Sequence, residues 1–139
     1  MSSPLDALCG PSGPLKPEPP DAQEFGGLVH SGEARLLDAE RVENSLEGRF
    51  DLAYNAAHAL SLAALRHAGY RSAKRYVVFQ VLPHTLGLGP EVWRVLDRAH
   101  NARNLSEYEG DLSVDDRLLK DLIKACRVVL KELRSLPAL

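Results

Sequence analysis

Cysteine is nearly missing from this chain. Cys9 and Cys126 are the only two in 139 residues, one in a Pro-rich stretch and one in an apolar helical pattern. Neither a disulfide framework nor a zinc site follows from such a pair. A surplus of one charge is missing too. Seventeen Lys and Arg face nineteen Asp and Glu, for a net charge of -2. No global basic field is present to hold nucleic acid, so any RNA contact has to come from a local patch. No apolar run approaches the ~20 residues that span a bilayer. The N-terminus lacks the basic-then-apolar order of a secretory signal. These absences lead us to expect a cytoplasmic protein with no membrane partner.

Chemical signatures are sparse as well. The sequence has no Gly-rich phosphate loop, no nucleophile elbow, no cluster with metal-ligand spacing and no repeat of solenoid period. His30, His58, His67, His84 and His100 are the five histidines, and none pair at i,i+4 on one helix. No metal or cofactor is expected.

What is present suits one folded domain. The chain is 45% hydrophobic and 26% charged, which is ordinary for a soluble protein, and it is long enough for a real core. Six of the nine prolines (Pro4, Pro11, Pro14, Pro17, Pro19 and Pro20) fall in residues 1–20. Proline fixes φ and removes a donor, so this stretch is expected to be a disordered or polyproline-like tail. Residues 21–139 form the domain.

The domain reads as helices. Asp21 is an N-cap for an amphipathic stretch running to about residue 43, which Gly26, Gly27 and Gly32 weaken. It is either one helix with a soft middle or two that meet near Ser31. Ser45 caps the next helix, which runs from 46 to about 68 and ends at Gly69. That helix is apolar nearly all round and rich in alanine, so it belongs in the middle of a bundle or at an oligomer interface. One polar stripe remains on it, made of Asp51, Asn55 and His58, with Arg66 further along. The basic connection Arg71, Lys74, Arg75 follows. Residues 76–82 are β-branched enough for a strand, but a lone strand has no partner, so we read about three turns of helix with Pro83 at a kink or stop. Ser113 and Asp116 resemble a capping box ahead of a last amphipathic helix that stops near Pro137. The fold class is all-α, an antiparallel bundle of four to six helices.

The most informative helix lies between Pro90 and Gly110. At ~100° per residue, Val92, Val95, Leu96, Ala99 and Ala102 share one face. Arg103 sits at the edge of that face. Beside it run His100, Glu107, Asn104, Asp97 and Tyr108, and with Arg103 the stripe holds an acid, a base, a fixed cation, an amide and a phenol. An ordinary surface stripe with an Arg103–Glu107 pair accounts for the same pattern. So does a register-setting ion pair from Arg103 to Asp51 or Glu107.

Two stretches together point further. Arg49-Phe50-Asp51-Leu52-Ala53-Tyr54-Asn55-Ala56-Ala57 precedes Ala102-Arg103-Asn104-Leu105-Ser106-Glu107-Tyr108-Glu109 by about fifty residues. This combination resembles the HEPN family, the higher eukaryotes and prokaryotes nucleotide-binding domains, over roughly residues 21–136. The resemblance implies a helical bundle that often dimerises. It implies an RNA- or nucleotide-interacting protein of the toxin–antitoxin or defence type, whose antitoxin partner is a nucleotidyltransferase. Active members carry an arginine, usually a polar residue after it, then a histidine four to six residues on. Arg103 and Asn104 match the opening. Tyr108 holds the histidine's place, so this chain resembles a branch with Arg-Asn-x-x-Glu-Tyr, and the replacement weighs against catalysis.

Three alternatives stay open. A metal-independent endoribonuclease would use Arg103 to hold phosphorane charge and His100 to move the proton; His58 is the other histidine in range. A non-catalytic interaction or dimerisation module would use the alanine-rich helix as its interface. Tyr108 or Tyr54 would accept a nucleotidyl group in the third. Across these readings the binding residues are Asp51, Tyr54, Asn55, His58, Asp97, Asn104, Glu107 and Tyr108, with Arg103 and His100 in the catalytic version.

Overall fold

Short polar side chains open three of the four long helices. In the computed structural model, which describes residues 3–109 and 114–139 (the backbone alone at 106–109), Asp21 accepts the Glu24 N–H at 2.9 Å and starts α1 (Ala22–Ala39). Ser45 accepts the Gly48 N–H at 3.0 Å and starts α2 (Leu46–His67). Each cap satisfies a backbone donor that the helix leaves over. The stretch after Asp21 is one helix, not two. The cap of the last helix differs from expectation: Asp115 accepts the Leu118 N–H at 2.8 Å and starts α6 (Asp116–Arg134), while Ser113 lies outside the described residues. Gly69 follows α2 at φ +95°, a conformation that suits glycine.

The β-branched run is helical, in two pieces. α3 (Arg75–Gln80) and α4 (Leu82–Thr85) meet at Val81, with φ -89° and ψ 0°. Pro83 falls in the first turn of α4, where its missing N–H breaks no bond. α5 (Pro90–Glu109) follows a loop that includes Gly87 at φ +69°.

The four long helices pack as an antiparallel bundle, and an all-α fold is what these residues form. Phe25 meets His67 while Arg49 Nε donates to the Ala39 carbonyl at 2.8 Å, so α1 and α2 run in opposite directions. Glu40 and Glu33 bind Arg127 and Arg134, setting α6 antiparallel to α1. On α5, Val92 faces Ala125 and Val128, whereas Ala102 faces Leu118, so α5 runs against α6. Helix α2 is central. Its Ala53, Ala56, Ala57, Ala63 and Ala64 are all buried inside the chain, with Leu60 between them. Its apolar circumference is therefore used within the bundle and leaves no alanine face for an oligomer interface. Among the described residues, no helix is long and apolar enough to cross a membrane.

The Pro-rich segment corrects the expectation of a disordered tail. Leu5 and Leu15 are buried against Leu65, Val78 and Val81. Asp6–Leu8 forms a 3-10 turn. β1 (Lys16–Pro17) pairs antiparallel with β2 (Tyr70–Arg71), Lys16 opposite Arg71 and Pro17 opposite Tyr70. The physical reason lies in Arg66, which is 2% exposed. It turns away from the Asp51–His58 stripe, and its guanidinium donates to the carbonyls of Glu18 at 3.0 Å and Pro19 at 2.7 Å. It also donates to the Glu24 carboxylate at 2.5 Å. Prolines limit the ladder that this segment can join, and an arginine fork takes the carbonyls that are left. Arg71 binds Glu18 at 2.7 Å and also pairs with Glu24, which closes the network.

Candidate functional site

Tyr54 anchors the site from the buried face of α2. Its side chain is 1% exposed, and its hydroxyl lies 2.9 Å from His100 Nδ1 on α5. A buried phenol needs such a partner. The two rings stack at 6.2 Å between centroids and 25° between planes. Phe79 of α3 closes the group edge-on: 5.8 Å from Tyr54, 6.3 Å from His100 and 6.3 Å from His58. Tyr76, one turn earlier on α3, lies 5.6 Å from the His100 ring.

Two arginines converge on this aromatic group. Arg103 places its Cζ 4.8 Å from the Tyr54 ring centroid, and Arg75 places its own at 5.6 Å. The negative face of the ring attracts both cations. Arg75 Nη1 donates to Asn55 Oδ1 at 3.0 Å, and Asn55 Nδ2 donates to the Asp51 carbonyl at 2.9 Å. The stripe on α2 is therefore a support chain for Arg75. Asp51 contributes its main chain there, and its side chain is exposed.

The cations and the burial set the protonation of the histidines. Burial, then Arg75 and Arg103, push His58 down to about 4. Burial, then Arg103, also lowers His100; Asp97, one turn back, opposes this, and Arg75 adds to it. Both imidazoles are neutral at neutral pH. Two permanent cations and two neutral rings around one phenol suit an oxyanion, because guanidinium forks match phosphate oxygens. The same set is poorly equipped for acid–base chemistry. His100 is neutral and oriented through Nδ1, but His58 at about 4 carries no extra proton to give to a leaving group.

The residues singled out from sequence thus divide. Tyr54, Asn55, His58, His100 and Arg103 come together. Asp97 acts through its charge, and Asp51 through its carbonyl. Asn104 is half-buried on the same helix. The side chains of Glu107 and Tyr108 lie outside the described residues. His100 is half-buried and hydrogen-bonded, not a free surface group. Tyr54 is too buried to accept a nucleotidyl group from a partner enzyme. Sequence reasoning missed Arg75, Tyr76 and Phe79. Their signal was an Arg-Tyr pair opening an apolar run, which acquires meaning only when α3 docks beside α5.

No family model, curated protein or solved structure matches the chain. The HEPN resemblance therefore rests on the chain's own residues.

Proposed function

We propose that this chain is a HEPN-like RNA- or nucleotide-interacting protein, of the toxin–antitoxin or defence type, that grips phosphate between Arg75 and Arg103 without cleaving its ligand. The observation that carries this reading is the convergence of two guanidinium groups on the Tyr54 ring, beside two histidines kept neutral. In a chain of net charge -2, such a local patch is what an anionic ligand requires. A homodimer and a nucleotidyltransferase antitoxin belong to the same proposal. Light scattering reads the first, and co-purification after joint expression reads the second.

Fluorescence anisotropy of a labelled single-stranded RNA tests the phosphate grip. Arg75→Ala and Arg103→Ala should each weaken binding while circular dichroism stays unchanged. Unaltered affinity in both variants would overturn the reading.

A second reading, a metal-independent endoribonuclease using Arg103 with His100, is favoured by one feature: His100 is neutral and fixed by Tyr54, as a general base should be. Cleavage of a quenched RNA reporter that survives EDTA and disappears in His100→Ala would establish it and displace the non-catalytic reading. The same pair of proteins, induced in a bacterial host, should then differ in toxicity.

A further inference from the structure

Helix α3 carries two aromatic rings that both reach the His100 ring but differ in exposure. Phe79 is 2% exposed and closes the core of the site. Tyr76 is 37% exposed, and among the described aromatic residues it alone is this open. Packing uses up the Phe79 ring, whereas part of the Tyr76 ring stays open to solvent. Tyr76 leans on the His100 ring at 5.6 Å with 43° between planes. His100 is itself held by the Tyr54 hydroxyl at 2.9 Å, so the exposed ring has a fixed backing. Its chain neighbour Arg75 is one of the two cations over Tyr54.

We propose that Tyr76 is a stacking platform for an unpaired nucleobase, so that the ligand joins such a base to the phosphate held by Arg75 and Arg103. This rests on the phosphate-binding reading above and narrows its ligand class. A flat ring beside paired cations suits single strands and nucleotides, because any base offers it a π-face. A duplex keeps its base faces stacked inside the helix and offers a platform little beyond its end pair. A bare polyphosphate has no face at all. Tyr76 therefore separates single-stranded nucleic acid and nucleotides from those two classes.

The test compares Tyr76→Ala and Tyr76→Phe with wild type on three labelled probes: a short single-stranded RNA, an abasic strand of equal length and a blunt hairpin. Tyr76→Ala should weaken the single strand roughly tenfold or more and leave the abasic strand and the hairpin as they were. Tyr76→Phe, which keeps the π-face, should restore the single strand. Adenosine monophosphate, titrated by calorimetry, identifies the source: binding with the same Tyr76 dependence assigns the platform to a free nucleotide, and binding of the strand alone assigns it to a polymer. If Arg75→Ala still weakens the single strand but Tyr76→Ala does not, the platform is overturned and the phosphate site stands. An equal loss on abasic and intact strands would also overturn it, since that result means α3 has shifted. Failure of the wild type to bind any probe would remove both readings.

Discussion

His58 shows how much a single residue depends on its neighbours. In sequence it belongs to a polar stripe, and that much was legible, since Asp51, Asn55 and His58 share a helix face. That two arginines from other helices would surround it was not, because the spacing on α2 says nothing about α3 or α5. The consequence is a pH dependence. His58 titrates at about 4 in the folded chain against an ordinary 6.5, so below pH 6.5 the unfolded chain binds more protons. Stability from this source is complete above pH 6.5 and is lost as pH falls toward 4. His100 is lowered too and acts in the same direction. Thermal unfolding at about pH 7 and about pH 5 should show a lower Tm at the acid value, and His58→Gln should shrink the difference. An unchanged difference in the variant would mean that other groups carry it. Arg66 sets a second expectation at this scale. Its fork is buried and holds main-chain carbonyls of Glu18 and Pro19. Arg66→Lys loses the fork and Arg66→Ala loses the charge; breaking such a buried arrangement costs about 3 kcal/mol or more. Chemical denaturation reads that loss directly, and a change below ~1 kcal/mol would show that Arg71 can replace it.

At the scale of elements, the helices were legible where caps and periodicity agreed, as at Asp21 and Ser45. They were less so where packing decides. The three glycines of α1 look alike in sequence, as helix-weakening residues, yet they stand in different surroundings. A Cβ on Gly26 or Gly27 meets nothing within 4 Å, whereas one on Gly32 would lie 2.6 Å from Leu60 Cδ2 and 2.7 Å from its Cγ. Gly26→Ala should therefore gain the helix propensity difference, about 0.5–1 kcal/mol. Gly32→Ala gains the same term but must displace a fully buried leucine at the α1–α2 contact, and overpacking of this kind costs about 1–3 kcal/mol. The second effect wins, so the two substitutions should move Tm in opposite directions. A stabilising Gly32→Ala would mean that Leu60 finds another rotamer at little cost. The N-terminal segment makes the same point about legibility. Its prolines point to a disordered or polyproline-like tail, and Leu5 and Leu15 have no periodicity that would announce burial. Leu15 is 0% exposed, and Leu15→Ala should cost about 2–5 kcal/mol. Limited proteolysis should then cut within residues 3–20 of the variant before it cuts the bundle.

For the molecule as a whole, the spacing of apolar residues revealed the fold class, since stretches with helical periodicity cover most of the chain after residue 20, while composition revealed little more than an ordinary soluble balance. It hid the site, because the site joins residues far apart in sequence, such as Tyr54 and His100. Net charge hid it as well. A chain of -2 offers no field to steer a polyanion, so in the proposed reading attraction comes from Arg75 and Arg103 at close range, and it should be strongly screened. Counterion release makes this measurable. Each phosphate contact on a single strand contributes about -0.7 to the slope of log affinity against log salt, so two arginines should give a slope near about -1.4. Arg75→Ala and Arg103→Ala should each remove about half of it, whereas Tyr76→Ala should lower affinity without changing the slope, because stacking releases no counterions. If an arginine variant weakened RNA binding but kept the full slope, that guanidinium would be shaping the Tyr54 cluster and not touching phosphate. The electrostatic contact would then have to come from cations elsewhere on the bundle.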